Sequence, residues 1–173
     1  MIVFGDHAGT LIVDPGSRFL YLVLERRKAL RYGVGVGREG AAWSGEATIR
    51  RKAKWPRWTP TRSMIKRDPF AAKWAEGMPG GPETPLGARA LYLYQGTVDT
   101  LYRIHGTNQP QSIGKAVSSG CIRLLNADIA DLYSRVRIGA KVVVLPVMPP
   151  HPEAEPEAGP PSARLPRRPA SLY

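Results

Sequence analysis

The chain has 173 residues, with 25 Lys and Arg against 14 Asp and Glu, and a formal charge of +11. That length allows one domain with its own core, and the charge favours anionic partners such as nucleic acid, an anionic membrane surface or a cell-wall polymer. A single cysteine excludes an intrachain disulfide. His7, His105, His151 and Cys121 lack the spacing of a transition-metal site, so no metal is expected.

The first residues lack the charged start and apolar stretch of a signal peptide. The longest apolar run, Phe19 to Leu24, is too short to cross a bilayer. No transmembrane segment is therefore expected, and a monomer is the default.

Thr10 to Val13 reads as a strand, followed by a turn at Asp14-Pro15-Gly16-Ser17. Arg18 to Leu24 is apolar at both parities, as in a strand covered on both faces. Beyond the charged turn Glu25 to Lys28, a third strand is expected over Ala29 to Val36. Gly33, Gly35 and Gly37 fall on one face of that segment, where another backbone, a substrate or a bulky neighbour can come close.

Ala47 to Lys52 is a further candidate strand. It leads into the most basic stretch, from Arg50 to Arg67, which contains Trp55 and Trp58. Basic residues interleaved with aromatics can bind nucleic acid. No nucleic-acid-binding fold pattern accompanies them, so no nucleic acid is expected. Short helices are expected over Thr61 to Arg67 and Pro69 to Ala75, then a loop over Gly77 to Pro82.

Gly87 to Tyr94 and Thr100 to Ile104 form a hairpin around Gln95 to Asp99. Asn126 reads as an N-cap for a helix with Ile129, Leu132, Tyr133 and Val136 in one stripe. Lys141 to Leu145 closes the domain as a strand. From Pro146 onward fall nine of the 17 prolines, with balanced charges, so Pro149 to Tyr173 reads as a disordered or extended tail. The expected organisation is a folded domain over residues 1–148 and a tail over 149–173. Its fold class is mainly β, a β-sandwich or partly closed barrel of mixed strands with a few short helices.

The chemistry concentrates at His105 and Cys121, 16 positions apart. A thiol becomes a strong nucleophile as a thiolate, and a neighbouring imidazole can take its proton to leave a thiolate–imidazolium pair. Asn108, Asn126 or a backbone carbonyl can hold the histidine tautomer. The N–H groups of Gly120 and Cys121 can stabilise an oxyanion, and Arg123 can grip a carboxylate.

His105-Gly106-Thr107-Asn108, Ser112-Ile113-Gly114, Ser118-x-Gly120-Cys121-Ile122-Arg123, Asn126-x-Asp128 and Leu132-Tyr133 resemble the signature of the L,D-transpeptidases of the YkuD (ErfK/YbiS/YcfS/YnhG) family. The resemblance runs from the Gly9-Thr10 strand to about Leu145. It implies a YkuD-like fold and an enzyme without a cofactor. Cys121 would be the nucleophile, His105 the general base, and the Gly106 carbonyl the group that orients the imidazole. Ser118 and Ser119 would support the loop around Gly120, and Arg123 would order the site or contact a stem carboxylate; Asn108 is expected at the substrate, and Trp55, Trp58 and the loop from Trp74 to Pro85 are expected beside the groove from their position in the sequence. Many members carry histidine where this chain has Ser119, which leaves no second imidazole for substrate binding.

The implied reaction is attack on the carbonyl before the terminal D-alanine of a peptidoglycan tetrapeptide stem, giving a thioester. An amine of a second stem then resolves it as a 3–3 cross-link, and the implied location is the periplasm or cell envelope. Two alternatives share the site: an L,D-carboxypeptidase, in which water resolves the thioester, and a peptidoglycan-binding module without catalysis.

Overall fold

Strand pairing follows from which segments must be covered on both faces. The computed structural model describes residues 7–38 and 43–147; the proposed tail from Pro149 to Tyr173 lies outside them. In chain order come β1 (Leu11–Asp14), β2 (Phe19–Val23), β3 (Ala29–Gly33), β4 (Val36–Gly37) and β5 (Gly45–Lys54). Helices α1 (Arg62–Arg67) and α2 (Pro69–Lys73) follow, then β6 (Arg89–Gln95) and β7 (Val98–His105). The chain continues through a 3₁₀ turn (Pro110–Ser112), β8 (Ala116–Ser118), β9 (Ile122–Arg123), α3 (Asn126–Arg135) and β10 (Lys141–Val144).

Eight strands form one curled mixed sheet in the order β3-β2-β1-β10-β5-β6-β7-β9, and β4 pairs with β8. The β1–β10 and β7–β9 pairs are parallel. β1, apolar and buried from Leu11 to Val13, sits between β2 and β10, as two-faced burial requires. Of the two architectures open to the sequence, the barrel-like one forms. One core joins Leu11, Leu22, Ile49, Leu91, Ile104, Leu124, Ile129 and Leu132. Burying each such side chain contributes about 1.5–3 kcal/mol. At the far end of α3, Lys52 Nζ donates to the carbonyls of Tyr133 and Val136, each at 2.6 Å. Those carbonyls have no partner within the helix, and a lysine satisfies them.

The strand expected over Ala29 to Val36 breaks after Gly33. Val34 N–H donates to the Arg18 carbonyl, and Gly35 then leaves the sheet to pair with Arg123, its N–H and carbonyl meeting that residue's carbonyl and N–H at 2.8 and 2.9 Å. β3 and β9 are the two edges of the sheet, so this bridge draws them together and half-closes the barrel. A Cβ on Gly35 would sit 2.6 Å from the Ser112 carbonyl oxygen. Among the readings of the three glycines, the close approach at Gly35 is therefore of backbone to backbone. We expect Gly35→Ala to destabilise the fold by about 2 kcal/mol in urea unfolding, with Gly81→Ala within about 0.5 kcal/mol of the parent, because nothing lies within 4 Å of a Cβ there. Equal midpoints for the two variants would contradict the seam.

Candidate active site

The face on which the reactive residues lie is set by two isoleucines. β7 and β9 run parallel with Ile104 beside Ile122 and His105 beside Arg123. Ile104 and Ile122 are buried in the core. Side chains alternate along a strand, so Arg103, His105 and Arg123 take the opposite face, and Cys121 enters β9 beside Arg103.

His105 is the last residue of its strand, 4% exposed. Its Nδ1 donates to the Gly106 carbonyl, which leaves Nε2 as the lone-pair nitrogen. Gly106 and Thr107 are held by Asn126, whose Oδ1 accepts from the N–H groups of Ala88 and Thr107 at 3.0 and 3.1 Å. Asn126 was expected to cap α3. Instead Leu125 occupies the cap position and makes no side-chain hydrogen bond, while Asn126 ties the start of β6 to the segment after His105. A Cβ on Gly106 would collide with that carboxamide. The motif's Asn is thus a brace for the histidine turn, a role visible only once residues 38 positions apart are neighbours.

Ser118 is buried and organises the cysteine turn. Its Oγ donates to the Cys121 carbonyl at 2.8 Å and accepts from the Gly120 N–H at 3.2 Å. Gly120 has φ +130°, a conformation suited to glycine. The pairing with Ser118 corrects one expectation, since it engages the Gly120 N–H that was read as an oxyanion donor. β8 before the turn and β9 after it were not expected from the sequence.

Burial pushes the Cys121 thiol up, opposed by a hydrogen bond from the backbone of Arg103 and by the Arg103 and Arg123 charges. Burial also brings the His105 imidazole down to about 4, with the Gly106 bond opposing it and the two arginines adding to it. Both shifts favour the uncharged forms, a thiol beside a neutral imidazole, over the thiolate–imidazolium pair. Arg123 is lowered by burial and raised by Cys121, and stays a cation. Its Nε is buried without a hydrogen-bond partner, and one Nη lies 3.4 Å from Gln109 Oε1.

His105, Cys121, Arg123, Ser118, Ser119 and Asn108 line one cleft of about 660 Å³. Asn108 Nδ2 donates to the Glu83 carbonyl at 2.9 Å. Trp55, expected to meet substrate, is not among the lining residues; it is 43% exposed, with φ +43°, and its N–H is bonded to the Ala88 carbonyl. Trp58, expected beside the groove with it, does line the cleft, stacked on Phe70 at 5.9 Å. It belongs to a second small core with Ala71 and Met78, which fixes α1 and α2 beside the cleft. Arg67, the last residue of the basic stretch, also lines it, with Arg38, Met64 and Gln109, which the sequence did not single out. Among the described residues, no cluster of His, Cys, Asp and Glu suits a metal ion.

A half-closed β-barrel presenting a thiol, an imidazole and a guanidinium in one cleft is the class of protein these features define. A family model described as the L,D-transpeptidase catalytic domain, YkuD, matches residues 8–144, and the chain belongs to that family. YbiS of Escherichia coli, named as a probable L,D-transpeptidase, is 34% identical over 141 residues, covering 79% of this chain and 44% of its own length. The chain thus spans under half of that relative. YqjB of Bacillus subtilis is 32% identical over 136 residues, covering 78% of this chain and 69% of its own. A crystal structure from Brucella melitensis, described as a probable carnitine operon oxidoreductase, is 52% identical with a TM-score of 0.56, covering 83% of this chain and 91% of that one. L,D-transpeptidase 3 of Mycobacterium tuberculosis shares the fold at 16% identity and a TM-score of 0.60, over 80% of this chain and 61% of that one.

The upward shift of the thiol sets its expected reactivity. Alkylation of Cys121 by iodoacetamide should rise continuously from neutral into alkaline pH, since burial holds the thiol above its ordinary value. A plateau extending into acid would show a preformed ion pair.

Proposed function

We propose that this chain is a cysteine-dependent L,D-transpeptidase acting on peptidoglycan tetrapeptide stems. The observation that carries the reading is Cys121 and Arg123 lining one cleft with His105, whose Nδ1–H is spent on Gly106. His105 Nε2 takes the thiol proton as Sγ attacks the carbonyl carbon before the terminal D-alanine. The negative charge moves to the carbonyl oxygen, where the Cys121 N–H is the remaining donor of the two first considered. Collapse breaks the C–N bond. Imidazolium returns its proton to the departing amine, and a thioester stays on Cys121. An acceptor amine then attacks the thioester, Nε2 takes its surplus proton, and the thiolate leaves and is reprotonated.

Arg123 faces the carboxylate of the leaving D-alanine, because that carboxylate is the nearest charge to the scissile bond. A imidazole with a value of about 4 is a free base throughout the neutral range, ready to accept a proton without first losing one. The site of action is the cell envelope, where the substrate lies; no helix among the described residues is long and apolar enough to cross a membrane.

The test is product analysis with a disaccharide-tetrapeptide donor, with and without an acceptor amine. We expect D-alanine release and a cross-linked dimer with the amine, and no product from Cys121→Ala. His105→Gln should lose about 10²–10⁴ in rate. The kcat/KM of the parent should fall in acid through about 4, where the imidazole gains its proton. Tripeptide alone, even with amine present, would replace transfer by hydrolysis. Binding that survives Cys121→Ala without any turnover in the parent would leave a wall-binding module.

A further inference from the structure

Three guanidinium groups reach the cleft from three separate elements: Arg38 after β4, Arg67 at the end of α1, and Arg123 in β9. None has a carboxylate partner among the described residues, whose ion pairs are Arg103–Asp99, Arg135–Asp131 and Lys141–Glu46. Asp68 is the one acidic residue among the described residues lining the cleft, and its Oδ1 accepts from the Phe70 N–H at the start of α2. The cleft therefore carries an excess of two positive charges with the imidazole neutral.

One of these cations is held in place by its own helix, and a second is placed through its backbone. Arg67 donates from Nε to the Ser63 carbonyl at 3.1 Å and from Nη2 to Ser63 Oγ at 2.7 Å, which fixes its plane and leaves its remaining N–H groups for a ligand. Arg38 is anchored through its backbone N–H to the Ser118 carbonyl at 3.1 Å, on the strand that leads into the cysteine turn. A guanidinium oriented in advance loses little freedom on binding, and its fork suits a carboxylate. Like charges collected in one cleft without a partner also repel one another, so a matching anion gains from all of them.

We propose that Arg38 and Arg67 form a second carboxylate-reading station, separate from Arg123, which selects donor peptides whose side-chain carboxylates are free over peptides in which they are amidated. This rests on the transpeptidase reading, in which Arg123 meets the terminal carboxylate. Arg67 sits on the α1–α2 insert and Arg38 beside β8, so the two contact the stem from different walls. They are binding residues and take no part in bond making.

The test separates the station from the reaction. Cys121→Ala, which cannot be acylated, is titrated calorimetrically with two tetrapeptides ending in D-alanine, one with free side-chain carboxylates and one with those groups amidated. The station predicts at least tenfold tighter binding of the free acid. In Cys121→Ala carrying Arg67→Gln or Arg38→Gln, that ratio should shrink toward one, and 0.5 M salt should compress it as well. Equal affinities for the two peptides, binding of neither, or a ratio that persists in both arginine variants would overturn the station. If the ratio behaves as expected but the parent forms no acyl adduct with either peptide, the station stands and the transpeptidase reading falls.

Discussion

Everything at the site depends on the backbone seam between Gly35 and Arg123. It joins the two edges of an eight-stranded sheet, and it can form because a glycine allows the Ser112 carbonyl to come within what would be the radius of a side chain. The same Arg123 pairs with His105 across β7 and β9. One residue thus fixes barrel closure on one side and the strand that ends in His105 on the other, and Cys121, two positions earlier, inherits its place from both. β9 has two residues and cannot persist alone; its partners on either side hold it.

The electrostatics follow from that burial. A thiol and an imidazole taken out of water both shift toward their neutral forms, and the arginines around them push the two in opposite directions: they ease thiolate formation and oppose imidazolium. In the proposed reaction the proton would pass from thiol to imidazole during attack. The Gly106 carbonyl sets the tautomer, and Asn126 holds the segment that carries it. The cations that remain unpaired in the cleft are then available to substrate.

Local patterns made much of this legible. The hairpin of β6 and β7, the apolar stripe of α3 and the two short helices follow from periodicity and turn chemistry, and the cysteine and histidine motifs stand out because they are specific. What could not be read depends on contacts distant in sequence. β8 and β9 are too short to show a period. Asn126 resembles a cap because cap preference is a local property, whereas its carboxamide is committed to Ala88 and Thr107. Trp55 and Trp58 are indistinguishable by composition. The strand exit places one in solvent and the small core under α2 places the other in the cleft.

The central claim is that Cys121 is an acylated nucleophile. Intact-protein mass spectrometry after mixing the protein with a disaccharide-tetrapeptide, and separately with a carbapenem, tests it most directly. The account predicts a single adduct of the acyl mass on the parent protein and none on Cys121→Ala. Folded parent protein that acquires no adduct from either compound at neutral pH, or an adduct of the same mass on Cys121→Ala, would contradict it.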